Sequence, residues 1–310
     1  MNLIKKLISI LITMWLIVTL TFIIMHSIPG DPFSNDSKAL SPEQLQHMKE
    51  RFHLDQPLYM QYLLYLKGVV TLDLGPSIQS ESRDVNTLIR EGFSASALIG
   101  VQSLLLALFG GIILGTIAAL YKHRFLDVLA MLLAIIGISV PSFIFAPLLI
   151  KYMGVEWQML PIAGFKTWQH SVLPSIALAV GPLAIITRYV RSSMIEVLQS
   201  NYVRTAVSKG LPMSYIIRKH VLRNSLLPVV TFLGPLFASV ITGTFVIEKI
   251  FSIPGIGKYF VDSIFNRDYP VIMGTTIFYS FILIITLWIV DVCYQLIDPR
   301  ISLKSGDQQA

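Results

Sequence analysis

The sequence predicts an all-α, polytopic membrane protein of six transmembrane helices, with an external cap and one long helical loop on the cytoplasmic side. Three observations carry that prediction. Hydrophobic residues make up 54% of the 310 positions and charged residues only 14%, a mixture too apolar to clothe a soluble domain in a hydrated surface. Six stretches approach the roughly 20 mainly apolar residues that a spanning helix needs. Lys and Arg gather in alternate short connections, as the positive-inside rule requires.

The six stretches are residues 7–28, 98–120, 126–150, 172–190, 226–247 and 272–297. The first follows Lys5 and Lys6, as in a signal peptide, but the run is too long and no A-x-A-like site follows, so an uncleaved anchor is expected. The second contains Gly111-Ile112-Ile113-Leu114-Gly115, a small-xxx-small pattern that lets helix backbones approach closely. Prolines 141, 147, 174, 182, 228 and 235 fall in or at the ends of these helices, and each removes a backbone donor that protein or water must replace. They admit a re-entrant segment around Pro141 and Pro147 or around Pro174 and Pro182, with simple kinks the plainer reading of any single one.

The long connection 29–97 is of a size that crosses the membrane regardless of charge, so orientation is read from the short loops. With the N-terminus inside, the cytoplasmic flanks hold Lys5, Lys6, Lys122, Arg124, Arg191, Arg204 and Lys209 among others, against Lys151, Lys166, Lys249, Lys258 and Arg267 outside. Both termini are then cytoplasmic, and the chain divides into a first helix (1–28), an external cap (29–97), a five-helix core (98–297) containing the loop 191–226, and a tail (298–310). The net charge of +6 sits where topology alone would put it, so no nucleic-acid partner is expected. Cys293 is the sole cysteine, which excludes an intrachain disulfide or a cysteine-rich metal site.

In the cap, Pro29-Gly30-Asp31-Pro32 ends the first helix. Ser41-Pro42-Glu43-Gln44 then reads as an N-cap, a proline at the first helical position and a capping box. Leu45, Met48 and Phe52, and after Pro57 the set Leu58, Tyr62, Tyr65 and Leu66, recur at helical spacing. Two short amphipathic helices on the outer surface are expected, with 41–66 a surface for a soluble partner.

The loop 191–226 is long, basic and helical in pattern, unlike the other cytoplasmic connections. Residues 202–210 read as a short helix stopped by Gly210, the residue that best tolerates the left-handed geometry after a helix C-terminus. Leu211-Pro212 restarts a second helix with Ile216, Ile217, His220 and Val221 on one side. A short exposed helix with Thr205 and Ala206 on a small-residue face suits docking into a groove on a soluble partner. Its basic residues suit an amphipathic helix resting on the inner leaflet equally well, and residue chemistry leaves the two readings even.

From end to end the sequence resembles the permeases of the oligopeptide, dipeptide and nickel group of ATP-binding-cassette importers. The resemblance is carried by Ile28-Pro29-Gly30-Asp31-Pro32, Asp73-Leu74-Gly75, Ile138-Ser139-Val140-Pro141-Ser142-Phe143, Leu160-Pro161 and residues 202–210. It continues through His220-Val221-Leu222-Arg223-Asn224, residues 251–257, Arg267-Asp268-Tyr269-Pro270 and Asp298-Pro299-Arg300. It implies a type I importer permease whose EAA-type loop carries a coupling helix and seats it on an ATPase, with Arg204, Thr205, Ala206, Lys209 and Gly210 as the docking positions. Arg204 stands where the motif has Glu, and Leu222-Arg223 where it has Leu-Pro, a variant that resembles the first of the two non-identical permeases of a peptide system. The resemblance further implies a homologous second permease, two ATPase subunits that bind ATP and Mg, and an external solute-binding protein, working in the cytoplasmic membrane by alternating access.

No G-x-x-x-x-G-K-[ST] loop occurs, so this chain is expected to be neither an ATPase nor a holder of a cofactor. Neither H-E-x-x-H nor G-x-S-x-G occurs, and the histidines are scattered, so neither catalytic residue nor metal ligand is expected. Asp127, Arg188, Glu248 and Asp291 fall near helix ends and read as interfacial anchors, with Arg188 and Glu248 candidates for bordering the solute path. Two alternatives stand beside a peptide importer: the same fold carrying nickel or a metal-chelator complex, and an ion-coupled secondary transporter. The latter calls for midplane carboxylates and needs no docking loop.

Overall fold

The computed structural model describes residues 3–27, 41–80 and 83–297. The expected turn Pro29-Gly30-Asp31-Pro32 and the tail 298–310 lie outside the described residues, as do the side chains of Lys5, Lys6, Asp291 and Cys293. The described chain is helical throughout, with a single isolated bridge between Pro76 and Asp84. The helices are α1 (Leu3–Ser27), α2 (Pro42–Arg51), α3 (Leu58–Thr71), α4 (Val85–Leu120), α5 (Phe125–Ser139), α6 (Ser142–Leu149), α7 (Val172–Leu198), α8 (Asn201–Ser208), α9 (Met213–Ile216), α10 (Leu222–Ser225), α11 (Leu227–Ile250), α12 (Ile256–Asn266) and α13 (Tyr269–Ile297).

Among the described residues, five helices are long and apolar enough to span a bilayer: Leu7–Ser27, Val85–Leu120, Trp168–Leu198, Phe232–Ile250 and Tyr269–Val290. The sixth expected span is not one straight helix. It breaks between α5 and α6 with a bend of 106°, and a wide-turn segment Ile150–Glu156 continues α6. The cause is local. A proline ring crowds the residue before it out of the helical region, and Val140 accordingly has φ −97° and ψ 119°, so α5 stops there and α6 restarts after Pro141.

The chain forms two compact units, Met1–Ser94 with Pro254–Ile284 and Ala95–Ile253 with Ile285–Ala310. In the second unit α7 is central, with Leu173, Ala177, Ala184, Val190 and Met194 buried along its length and α5, α6 and α11 packed around it. The expected Gly111 and Gly115 contact is present, and α7 is the helix it serves. A Cβ at Gly115 would stand 2.7 Å from the Thr187 carbonyl oxygen, and one at Gly111 2.7 Å from the Ile186 side chain, so only glycine lets α4 lie this close.

In the first unit the capping box forms as the sequence predicts. Gln44 N–H donates to Ser41 Oγ at 3.2 Å, and Ser41 N–H donates to Gln44 Oε1 at 2.9 Å. Helix α3 packs directly on α1: the Thr19 and Tyr62 hydroxyls share a 2.7 Å hydrogen bond, His26 meets Gln61 at 3.1 Å, and Phe22 stacks on Tyr65. The Tyr65 hydroxyl is buried without a hydrogen-bond partner, and burial pushes its phenol above the ordinary range.

Asp268, just before α13, is buried and gathers the loop that follows α3. Its carboxylate accepts hydrogen bonds from the Ser77 hydroxyl and from the N–H groups of Ile78 and Gln79, the latter two at 3.2 Å. Hydrogen bonds to a charged acceptor contribute about 1.5–3 kcal/mol each. Asp268→Asn keeps the shape and removes the charge, and is expected to lower unfolding stability by an amount in that range. It should also speed tryptic cleavage after Arg83, which a time course of digestion reads.

Candidate functional site

The loop after α7 is built from three short helical pieces folded against the bundle. Ser200 adopts extended geometry (φ −69°, ψ 152°) and starts α8. Eight residues later the helix is closed by a Schellman motif: Gly210 N–H donates to the Val207 carbonyl at 2.9 Å, and Leu211 N–H to the Ala206 carbonyl at 3.3 Å. That pattern needs a left-handed residue at the first position beyond the cap. Gly210 supplies it with φ +73°, and nothing lies within 4 Å of where its Cβ would be.

The orientation of α8 corrects the expected docking face. Ala206 is buried together with Val203, in one cluster with Val190 and Met194 of α7, Ile216 and Val221. The helical period sets positions 203 and 206 on one side, and that side faces the core while Val207 is left exposed. Ala206 thus packs in this chain's own core and offers no wall to a partner. The exposed face consists of Tyr202, Arg204, Thr205, Val207 and Ser208, with Lys209 and Gly210 following. Leu211, Met213 and Tyr215 extend it as exposed apolar surface, with Arg218 and Lys219 also exposed. Apolar residues within a basic rim suit a soluble protein partner and the inner leaflet alike.

Side-chain bonds hold the pieces in register. Asn224 Nδ2 donates to the Tyr202 hydroxyl at 2.8 Å, tying α10 to α8, and Lys219 Nζ donates to the Tyr215 hydroxyl at 2.7 Å. Below the loop, Arg191 of α7 grips Asp127 of α5 through both oxygens, Nε to Oδ1 at 2.5 Å and Nη2 to Oδ2 at 2.8 Å. Asp127 also accepts from the His123 N–H at 2.9 Å, fixing the α4–α5 turn, where His123 has φ +63°. Asp127 is 3% exposed and the Arg191 side chain 24%, so the expected boundary anchor is held within a partly buried ion pair. The pair joins residues 64 apart; its one trace in the sequence is a lone acid shortly after Lys122, His123 and Arg124.

Glu248, like Asp127, is enclosed by the chain. It is fully buried in α11, and the Ile253 N–H donates to its carbonyl at 2.9 Å in the turn that closes the helix. Arg188 is exposed, its guanidinium 5.9 Å from the Tyr189 ring, which stacks on Phe232 of α11 at 4.0 Å. The structure brings Arg204, Thr205, Lys209 and Gly210 onto one surface and leaves Arg188 and Glu248 apart from it. Among the described residues no group of His, Cys, Asp and Glu is placed to hold a metal ion.

A family model described as binding-protein-dependent transport system inner membrane component matches residues 111–303, and its N-terminal companion matches residues 1–80. The chain belongs to this family of transport-system membrane components. A dipeptide transport system permease protein of Bacillus subtilis (strain 168) is 52% identical over 304 residues, covering 98% of both chains. An oligopeptide transport system permease protein of Haemophilus influenzae is 40% identical, covering 96% of this chain and 97% of that one. Among solved structures, the inward-facing MetNI methionine ABC transporter aligns with a TM-score of 0.56 at 15% identity, over 68% of this chain and 96% of that chain. An amino acid ABC transporter aligns at 0.54 and 13%, over 67% and 94%. The fold of this family member is therefore that of a type I ABC importer permease, as its sequence motifs imply.

Proposed function

We propose that this chain is a peptide-conducting permease, one of two homologous membrane subunits whose interface forms the translocation pathway of an ATP-driven importer. The observation that carries the reading is the end-to-end relation to dipeptide and oligopeptide permeases, at 52% and 40% identity over nearly the whole chain. Two ATPase subunits bind ATP and Mg on the cytoplasmic side and take the exposed face of α8 into a groove. An external solute-binding protein delivers the peptide. Both termini lie in the cytoplasm. Closure of the ATPases moves the loop, the bundle opens outward by alternating access, and hydrolysis resets it. Uptake of labelled dipeptides and tripeptides by vesicles holding the complete transporter tests the cargo; transport of a nickel chelate without peptide uptake overturns it.

Docking is tested on the exposed face of the helix. Val207 is 54% exposed, and Val207→Asp or Arg204→Glu should leave insertion and permease pairing intact while the ATPase co-purifies at about a tenth or less of its normal yield. A loss of about 1.4 kcal/mol of binding free energy is a tenfold weaker complex. Normal retention of the ATPase by both variants would refute the assignment.

A further inference from the structure

Helices α2 and α3 differ in a way that a shared place on the outer surface does not explain. In ten residues α2 carries Glu43, Lys49, Glu50 and Arg51, whereas α3 carries only Lys67 in fourteen. The side of α3 opposite α1 is apolar and open: Tyr59 is 65% exposed, Leu63 55% and Val70 82%. Its other side is seated on α1 well before that helix ends. Thr19, which bonds Tyr62, lies eight residues inside the end of α1 at Ser27, or about 12 Å along the axis at 1.5 Å per residue. On α1 only 11% of the apolar window is buried within the chain, and its Leu16, Leu20, Ile23 and Ile24 are exposed.

We propose that α3 is an interfacial helix sunk into the outer leaflet, its Tyr59, Leu63 and Val70 face in contact with lipid acyl chains and continuous with the lipid-facing surface of α1. The position suits each neighbouring group. Lys67 can carry its charge to the headgroups along its own aliphatic stem, and the tyrosines 59, 62 and 65 are of the kind that collects at the membrane boundary. The side-chain amide of Gln61 donates to the Gln56 carbonyl at 2.7 Å, so no amide is left to be dissolved in hydrocarbon. Helix α2, charged and capped, stays in water. The cap is thus moored by α3, which fixes where the loop 73–80 and its Asp268 clasp begin.

The test is spin labelling of the complete transporter in liposomes, with single cysteines at Tyr59, Leu63, Val70 and, as the aqueous control, Glu43, in a complex otherwise free of cysteine. Collision with oxygen, which concentrates in lipid, is compared with collision with a water-soluble nickel chelate. The expected result is a positive logarithm of the oxygen-to-nickel ratio at the three α3 positions and a negative one at Glu43. Nickel-dominated collision at Leu63 and Val70 would place the face in water and overturn the proposal. Shielding from both reagents would overturn it as well, by showing that a partner permease or the solute-binding protein covers α3. Three positions keep the test intact if one variant fails to assemble.

Discussion

Gly210→Val should lower coupled uptake at least about tenfold while leaving the protein in the membrane and paired with its partner permease. A β-branched side chain in the left-handed region carries a penalty of about 1–2 kcal/mol from its own backbone. No neighbour adds to it, since a Cβ at this position would have nothing within 4 Å. Relief means unwinding the two Schellman hydrogen bonds to Val207 and Ala206, which swings Lys209 and Leu211 out of the exposed surface. Because the fault is purely conformational, the series orders itself: Asn, which tolerates positive φ, close to wild type; Ala intermediate; Val with uptake down at least about tenfold. Peptide uptake and ATPase retention in reconstituted vesicles read the series. Equal loss for Asn and Val would show that the space at Gly210 matters and its φ does not.

Breaking the Asp127–Arg191 pair on one side should cost the most stability of any of these changes. Removing one member of a buried ion pair costs about 3–5 kcal/mol when the charge left behind is enclosed, which applies more fully to Asp127 than to the 24%-exposed Arg191. Asp127→Leu leaves the Arg191 guanidinium without its two-point acceptor and frees the His123 turn as well. Arg191→Met leaves a carboxylate only 3% exposed. Each single variant is expected to lower the thermal midpoint of the purified permease sharply, and the double variant Asp127→Leu with Arg191→Met to recover much of it, because two apolar groups of similar volume carry no stranded charge. A double variant no better than the worse single one would mean that the turn at His123, and not the charge pair, is what Asp127 supports.

Features governed by neighbours in sequence were legible. The capping box at Ser41, the stop at Gly210, the break before Pro141 and the glycines of α4 each follow from a few adjacent residues, and the apolar runs mark the spans by length. What escaped is set by packing between distant segments. Ala206 looked like part of a docking face because a lone amphipathic helix does not announce which neighbour takes its apolar side. In the fold that neighbour is the chain's own core. Asp127 and Glu248 looked like boundary charges because position in a hydropathy pattern measures depth and not enclosure. Likewise α3 carried the period of an amphipathic helix, and only its contacts with Thr19 and Phe22 reveal that it descends beside α1.

The burial of Val203 and Ala206 also has a mechanical meaning. Their cluster runs without interruption from α8 through Ile216 and Val221 to Val190 of α7 and Val229 and Leu236 of α11. Close-packed interiors compress little and pass strain on, so a push on Tyr202 or Val207 meets no soft layer before it reaches two long helices of the bundle. A loop hung on flexible ends would dissipate that displacement as local deformation. Under the proposed docking, it would act as the short arm of a stiff lever whose long arm is α7, a stroke delivered at one end being returned at the other with little slack.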